Sequence, residues 1–255
     1  MKKNIIANWK MNPKTAAEAV TLAEQIEQHA AASTNVEVVV AAPFLFLPFI
    51  REKLKSVKLG AQNVFWKNPI GAFTGEVSAV QLSEFGVTHV IIGHSERRAN
   101  LGESDDMVNM KVLAALEVGL KPVICVGELT HDDTNFITGL KQLTAAVQNV
   151  SAAQAKNLIV VYEPVWAIST NPNAAPAIPQ NAINARGLIE KFFTDTYGSW
   201  GFGDIQILYG GSVNPENIES FLSEGKMDGA LVGGASLDAE KFGKMIEIAN
   251  GVVSL

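Results

Sequence analysis

The sequence predicts an α/β fold, a single-domain (β/α)8 barrel with a parallel eight-stranded core covering residues 1–255. Three observations predict it. Short apolar runs alternate with helix-period segments eight times along the chain. The runs are continuously apolar rather than alternating in polarity, as parallel strands covered on both faces are. No linker or shift in composition divides the 255 residues, and such barrels typically need about 250. An open doubly wound sheet shares the alternation, but it usually carries a glycine-rich turn after its first strand. Here that position reads Asn8-Trp9-Lys10-Met11-Asn12.

In order, the strands fall at residues 4–9, 36–41, 58–62, 88–92, 122–126, 158–162, 205–209 and 229–232. Helical patterns fill the intervals at 15–31, 44–54, 79–85, 105–118, 135–150, 181–197, 215–224 and 238–250. Boundary residues agree with these periods. Ser78 and Asn214 resemble N-caps, the latter followed by Pro215 at a first helical position. Gly86, Gly119 and Gly225 stand where helices should stop. The longest irregular stretch follows the sixth strand, where Glu163 and Pro164 lead into a loop carrying Pro172, Pro176 and Pro179. The next helix starts at one of the last two prolines or just beyond.

Composition narrows the function. The chain is 47% hydrophobic and 18% charged, with a net charge of −6 and no basic run, which argues against nucleic acid and membrane partners. Local charge can oppose the total, so an anionic small substrate stays open. The single cysteine, Cys125, sits in an apolar run and reads as an inert buried thiol, in keeping with a cytoplasmic setting. The N-terminus lacks a signal-peptide core because Asn8 and Lys10 interrupt it, and no stretch approaches a membrane span.

A barrel places functional groups at the C-terminal ends of its strands. Those ends carry Asn8 and Lys10 after strand 1, His94-Ser95-Glu96 after strand 4 and Glu163 after strand 6. Gly210-Gly211-Ser212 follows strand 7, and Gly233-Gly234 follows strand 8. One glycine pair usually just makes a tight turn. Two on adjacent strands, one with Ser212 attached, favour backbone approach to a phosphate.

Lys10, between Trp9 and Met11, has a packed stem and aims a cation into the mouth; a Schiff-base role is open in principle, but an anionic site opposes the depressed pKa it needs. His94 taken alone, beside a glycine, is more often a structural hydrogen-bonding residue than a catalyst, and no HxH or HExxH spacing makes it a metal ligand. At the start of a helix beginning with Ser95 and Glu96, its charged form is disfavoured, leaving a neutral imidazole to donate. With Glu163 as base, these groups suit proton abstraction next to a carbonyl in a small phosphorylated substrate, and nothing asks for a metal or cofactor. Another phosphate-binding barrel enzyme would share the glycine pairs but would not explain Asn8, Lys10, His94 and Glu163 together. A barrel retained only for binding is the reading from another class; loss of the base or the lysine would have favoured it, and neither is lost.

On these residues the sequence resembles the triosephosphate isomerase family, along essentially its whole length. The resemblance rests on Asn8-Trp9-Lys10-Met11-Asn12, Gly71-Ala72-Phe73-Thr74-Gly75-Glu76 and Gly93-His94-Ser95-Glu96-Arg97-Arg98, with three further segments. Those are Tyr162-Glu163-Pro164-Val165-Trp166-Ala167-Ile168, Tyr209-Gly210-Gly211-Ser212-Val213 and Leu231-Val232-Gly233-Gly234-Ala235-Ser236.

It implies a TIM barrel that interconverts dihydroxyacetone phosphate and glyceraldehyde 3-phosphate through an enediol(ate), without cofactor or metal. Glu163 would be the base and His94 the electrophile, a pairing for which that family is the standard worked example. Lys10 would supply the cation, positioned by Glu96, and Asn8 would hold the substrate oxygen. Ser212, Gly233 and Gly234 would bind phosphate, joined by Ser169 when a mobile lid over residues 164–175 closes. Cys125 and Glu128 are assigned to structure.

The resemblance further implies a homodimer through the 62–76 loop, whose Thr74 enters a partner pocket near Asn8 and Lys10. The apolar Val64, Phe65, Trp66, Pro69, Ile70 and Phe73 in that loop give a physical reason for it. The match departs after Ile168. Ser169-Thr170-Asn171-Pro172 stands where the family often has Gly-Thr-Gly-Lys, and Pro172 restricts Asn171, so the lid's second hinge should move differently.

Overall fold

The computed structural model describes residues 2–67, 71–133, 135–168, 174–198 and 205–252. Ser169, Pro172 and the rest of 169–173 lie outside the described residues, as do Pro69 and Ile70.

Eight parallel strands close into a barrel in sequential order: β1 Lys3–Asn8, β2 Val36–Ala42, β3 Lys58–Ala61, β4 Val87–Ile92, β5 Lys121–Val126, β6 Ile159–Tyr162, β7 Gln206–Tyr209 and β8 Gly229–Val232. All eight stand where the apolar runs place them, within about two residues. Closure is through β1, which pairs with β2 from Lys3 opposite Val36 and with β8 from Asn4 opposite Gly229.

Residues two apart on a strand share a face. Ile6, Val39, Ala41, Ile91, Val123, Cys125, Ile159, Val161, Leu208 and Leu231 form a separate apolar cluster that fills the barrel's interior. The other face of each strand joins the larger core against the helices, including Ile5, Val38, Val90, Ile124 and Val160. These helices are α1 Ala16–Ala30, α2 Leu47–Ile50, α3 Ala79–Glu84, α4 Ser95–Leu101, α5 Asp105–Glu117, α6 Ile137–Ala146, α7 Ala152–Ala155, α8 Pro179–Tyr197, α9 Ile218–Ser223 and α10 Ala239–Gly251.

Several helices differ from the periodicity for local reasons. The segment expected over 44–54 is a 3-10 turn at Phe44–Phe46, one α turn and a second 3-10 turn at Arg51–Lys53. Pro48 sits at the start of α2 and has no N–H to continue the preceding turn. The helix expected over 135–150 begins only at Ile137, where the Asp133 carboxylate accepts from the N–H groups of Ile137 and Thr138, both at 2.8 Å. It ends at Ala146, and Ser151 caps the separate α7 through a capping box with Gln154.

Ser78 caps α3 in the same manner, as its sequence position suggests. Asn214 accepts from Glu216 and Asn217 N–H, so it caps the turn ahead of α9 rather than the helix itself. Pro179 opens α8, which settles which proline starts that helix.

Candidate active site

At the C-terminal mouth of the barrel a cavity of about 430 Å³ is lined by Asn8, Lys10, His94, Glu163, the Gly210-Gly211-Ser212 turn and Gly233-Gly234. The structure thus brings together every candidate within the described residues that the sequence singled out for chemistry or phosphate. Five strands and the loops after them supply these groups, and the polar side chains among them are each held by a local device.

Asn8 ends β1 and is 6% exposed; its Oδ1 accepts from the N–H of Lys10 at 3.0 Å. That bond folds the chain back over the strand end and places Lys10 at φ 53°, in the left-handed region that costs a lysine about 1 kcal/mol or more. The neighbouring Trp9 is fully buried and anchors the turn. Lys10 then reaches across to Glu96, with Nζ 2.5 Å from Oε1. Glu96 is thus the carboxylate that Lys10 meets at the mouth.

His94 follows Gly93, whose φ of 74° makes the turn out of β4 into α4. His94 is the N-cap of α4, and its Nδ1 accepts from the N–H of Glu96 at 3.2 Å. A ring nitrogen that accepts leaves the other to carry the proton, so Nε2–H faces the cavity. It lies 3.0 Å from Oε1 of Glu163.

Glu163 leaves β6 almost wholly buried, 2% exposed. Both of its oxygens are engaged by Ser95: Oε2 accepts from the backbone N–H and Oε1 from the hydroxyl, each at 3.0 Å. The first residue of a helix offers an unpaired N–H and the positive end of the dipole, so a carboxylate is favoured there. Ser95 is the residue sequence reasoning passed over, since it read only as the start of a helix. Its place directly after His94 at a strand end was the available signal.

The backbone around Glu163 is fastened to the end of β5. Glu163 N–H donates to Val126 O at 2.8 Å, and Val165 N–H donates to Glu128 O at 2.9 Å. Gly127 lets the two chains touch: a Cβ there would lie 2.0 Å from the carbonyl oxygen of Glu163. Glu128 is buried, receives the Tyr162 hydroxyl at 3.1 Å and has its carboxyl pushed up by burial. The Cys125 thiol lies fully buried inside the barrel, and burial pushes its pKa well up, in keeping with an inert role.

Beyond Glu163 the chain makes a 3-10 turn over Val165–Ala167, and the Ser212 hydroxyl donates to Ala167 O at 2.9 Å. The loop after β7 is thereby tied to the segment that follows Glu163.

Behind His94 lies a buried ionic cluster. Glu103 accepts from the N–H of Gly93 at 3.1 Å, pairs with Arg97 and meets Lys111 Nζ at 3.0 Å. Lys111 also donates to Asn63 Oδ1 at 2.7 Å, linking this cluster to the 62–76 loop. Burial alone would raise the Glu103 carboxyl, but the two cations and their hydrogen bonds hold it below the usual carboxylate range.

A second cavity of about 660 Å³ lies on the other side of Lys10, between Phe44, Gln62, Glu96 and Leu101. Thr74 is exposed, as expected for a loop tip. The loop's apolar residues divide, however: Val64 and Phe65 are buried in their own chain, and Phe73 is 40% exposed. Among the described residues no three His, Cys, Asp or Glu side chains are grouped to hold a metal ion. No helix among them is long and apolar enough to cross a membrane.

Comparison with known proteins gives one consistent result. The family profile described as triosephosphate isomerase matches residues 3–249. The chain is 45% identical over 252 residues to triosephosphate isomerase of Caldanaerobacter subterraneus subsp. tengcongensis, covering 96% of this chain and 99% of the relative. It is 42% identical over 252 residues to that of Thermoanaerobacter pseudethanolicus, covering 96% and 99%. Against that of Alkaliphilus oremlandii it is 44% identical over 248 residues, covering 95% and 98%.

Proposed function

The chain belongs to the triosephosphate isomerase family, aldose–ketose isomerases acting on a phosphorylated triose, and from that premise we propose how its residues carry the reaction. Glu163 takes the proton from one substrate carbon and returns it to the next. His94, with its proton on Nε2, polarises the carbonyl and passes protons between the two oxygens. Lys10 offsets the charge of the enediolate and of the phosphate, Glu96 aims it, and Asn8 holds a substrate oxygen. The observation that carries this reading is the convergence of Asn8, Lys10, His94 and Glu163 with both glycine pairs on one cavity.

Both oxygens of the base are occupied by Ser95, so at least one of those bonds opens as Glu163 turns to the substrate carbon. Ser212, Gly233 and Gly234 line the part of the cavity suited to the phosphate. Ser169 joins them when the segment over 164–175 closes; the 3-10 turn at Val165–Ala167 is its first hinge.

A homodimer fits the surface around the second cavity. Met11 and Leu101 on its rim are 94% and 65% exposed, and a partner's Thr74 loop would cover them. The single buried thiol suits a cytoplasmic, reducing setting.

The test is a coupled assay with glyceraldehyde 3-phosphate on the wild type, Glu163→Gln and Lys10→Ala. Loss of the base should lower kcat by roughly 10²–10⁴, and loss of the cation by about 10² or more. Turnover that survives in both variants overturns the assignment.

A further inference from the structure

The loop after β5 sets a side chain of its own against the turn that leads away from Glu163. Trp166 is the bulkiest residue of that 3-10 turn and is only 8% exposed. The ring of His131 meets its indole at a centroid distance of 4.6 Å and an interplanar angle of 63°, an edge contact of the kind aromatic rings prefer. His131 itself is exposed.

The loop that carries His131 is fastened at both ends. At its start Glu128 O accepts from the N–H of Val165 at 2.9 Å, so loop and turn share a backbone bond. At its end Asp133 accepts from the N–H groups of Ile137 and Thr138, and the buried Phe136 packs edge-on to Tyr162 at 5.6 Å. Between them Asp133 N–H donates to Thr130 O at 3.4 Å, a turn with His131 inside it. Trp166, by contrast, is a junction in the 164–175 segment: its carbonyl accepts from Ala175 N–H at 3.0 Å. It also stands three residues from the base, and Pro164 between them has its φ fixed by the ring, at −65°. A rotation of the turn is therefore transmitted to Glu163.

The titratable groups around the contact are Asp132 and Asp133 on the loop, Glu128 at its start and Lys141 on α6. Burial pushes the Glu128 carboxyl up, Asp133 adds to that push, and charge on His131 opposes it, so the imidazole lies within electrostatic reach of that carboxyl. Burial alone would raise Asp133 as well, but hydrogen bonds from Thr138 and Ile137, with Lys141 beyond, hold it below the usual carboxylate range.

Resting on the roles proposed above for Glu163 and this turn, we propose that His131 is a positioning residue for the reaction. Its ring latches Trp166 in the arrangement that keeps the base on Ser95, and protonation of the imidazole tightens the latch. An imidazole changes charge between about pH 5 and pH 8, and a cation within about 6 Å of an indole centroid is attracted by its π face. The arrangement in which Glu163 reaches the substrate carbon gives the contact up. A ligand that needs that arrangement then binds more weakly by the factor the latch contributes.

Two measurements test this, and the first needs no turnover. Full-length protein labelled with 5-fluorotryptophan should give 19F resonances for Trp9, Trp66, Trp166 and Trp200, and Trp166→Phe identifies the relevant one. Between pH 5 and pH 8 that resonance should shift in the wild type and stay still in His131→Phe. A flat wild-type resonance overturns the proposal. So does a titration that persists in His131→Phe, since it would then belong to Glu128.

The second is calorimetric affinity for 2-phosphoglycolate, whose carboxylate imitates a planar enediolate. At pH 8 His131→Ala should bind it about two- to tenfold more tightly than wild type, the scale of one aromatic pair. His131→Phe should restore the wild-type value, which a general loosening of the loop would not explain. From pH 8 to pH 6 the affinity of wild type relative to His131→Phe should fall about two- to fivefold. Taking the ratio removes the titration of the ligand and of the shared active-site groups. Equal affinities in all three proteins at both pH values overturn the latch. Glu163→Gln in the coupled assay reports on the base separately: lost turnover there, with equal affinities here, condemns the latch alone.

Discussion

Replacing Glu103 by glutamine tests whether the buried ionic cluster behind His94 holds the catalytic loop. The carboxylate is 1% exposed and Lys111 is 3% exposed, while Arg97 at 28% retains access to water. A neutral amide of the same shape keeps one acceptor oxygen, so the N–H of Gly93, Arg97 and Lys111 would compete for it. Its NH₂ group must then face a donor. Arg97 can turn outward, but among the described residues Lys111 keeps only Asn63 as an acceptor.

Stranding one partner of a buried pair typically costs about 3–5 kcal/mol. Arg97 escapes and Asn63 remains, so the lower end, about 3 kcal/mol, is expected. For a chain of this size that corresponds to a fall in Tm of roughly 6–12 °C. Denaturant unfolding followed by circular dichroism measures the loss directly. A coupled assay below the transition should also show reduced kcat, because Gly93 immediately precedes His94. A loss under about 1 kcal/mol with unchanged kcat would refute the reasoning, since the pair would then be no better than a surface ion pair.

Three further outcomes follow. Thr74→Asp should give monomers with poor activity, seen by light scattering beside the coupled assay; a fully active monomer overturns the dimer reading. Gly127→Ala should force the ends of β5 and β6 apart, because the new Cβ meets the Glu163 carbonyl at 2.0 Å. Displacing the base by even about 1 Å should lower kcat/KM by roughly 10², and normal kinetics would show that the contact is easily relaxed.

The third outcome concerns acid stability. The hydrogen bond from His89, with help from Lys121, holds the Glu37 carboxyl down to about 2. A carboxyl depressed on folding stabilises above its unfolded value and loses that contribution as pH falls toward the folded one. Wild type should therefore lose its stability advantage over Glu37→Gln progressively as pH falls from about 5 to about 2. A difference that is constant across that range would contradict the assignment.

The barrel was legible because each buried parallel strand had to be continuously apolar, and residues such as Val123, Ile124, Val160 and Val161 left little alternative. The groups that line the mouth cavity were legible because strand ends are where a barrel displays them. What escaped depended on contacts between distant segments. Ser95 read as a helix start because its partner Glu163 lies on another strand. Asn4, Glu37, His89, Lys121 and Gln206 lie on five different strands, and only closure of the barrel puts them in one layer. The apolar residues of the 62–76 loop read as a single exposed patch, yet Val64 and Phe65 pack within their own chain. The helix expected over 44–54 split because Pro48 withholds one N–H, a signal that was present and outweighed by periodicity.

The left-handed backbone at Lys10 sets stability and activity against each other at one residue. Glycine and asparagine enter that conformation more readily than lysine, so either would relax the turn while removing the cation. Screens that score only yield or melting temperature should therefore recover folded, inactive replacements at position 10. Stabilising this enzyme by design calls for leaving that strained position alone and improving helix ends and surface charge elsewhere.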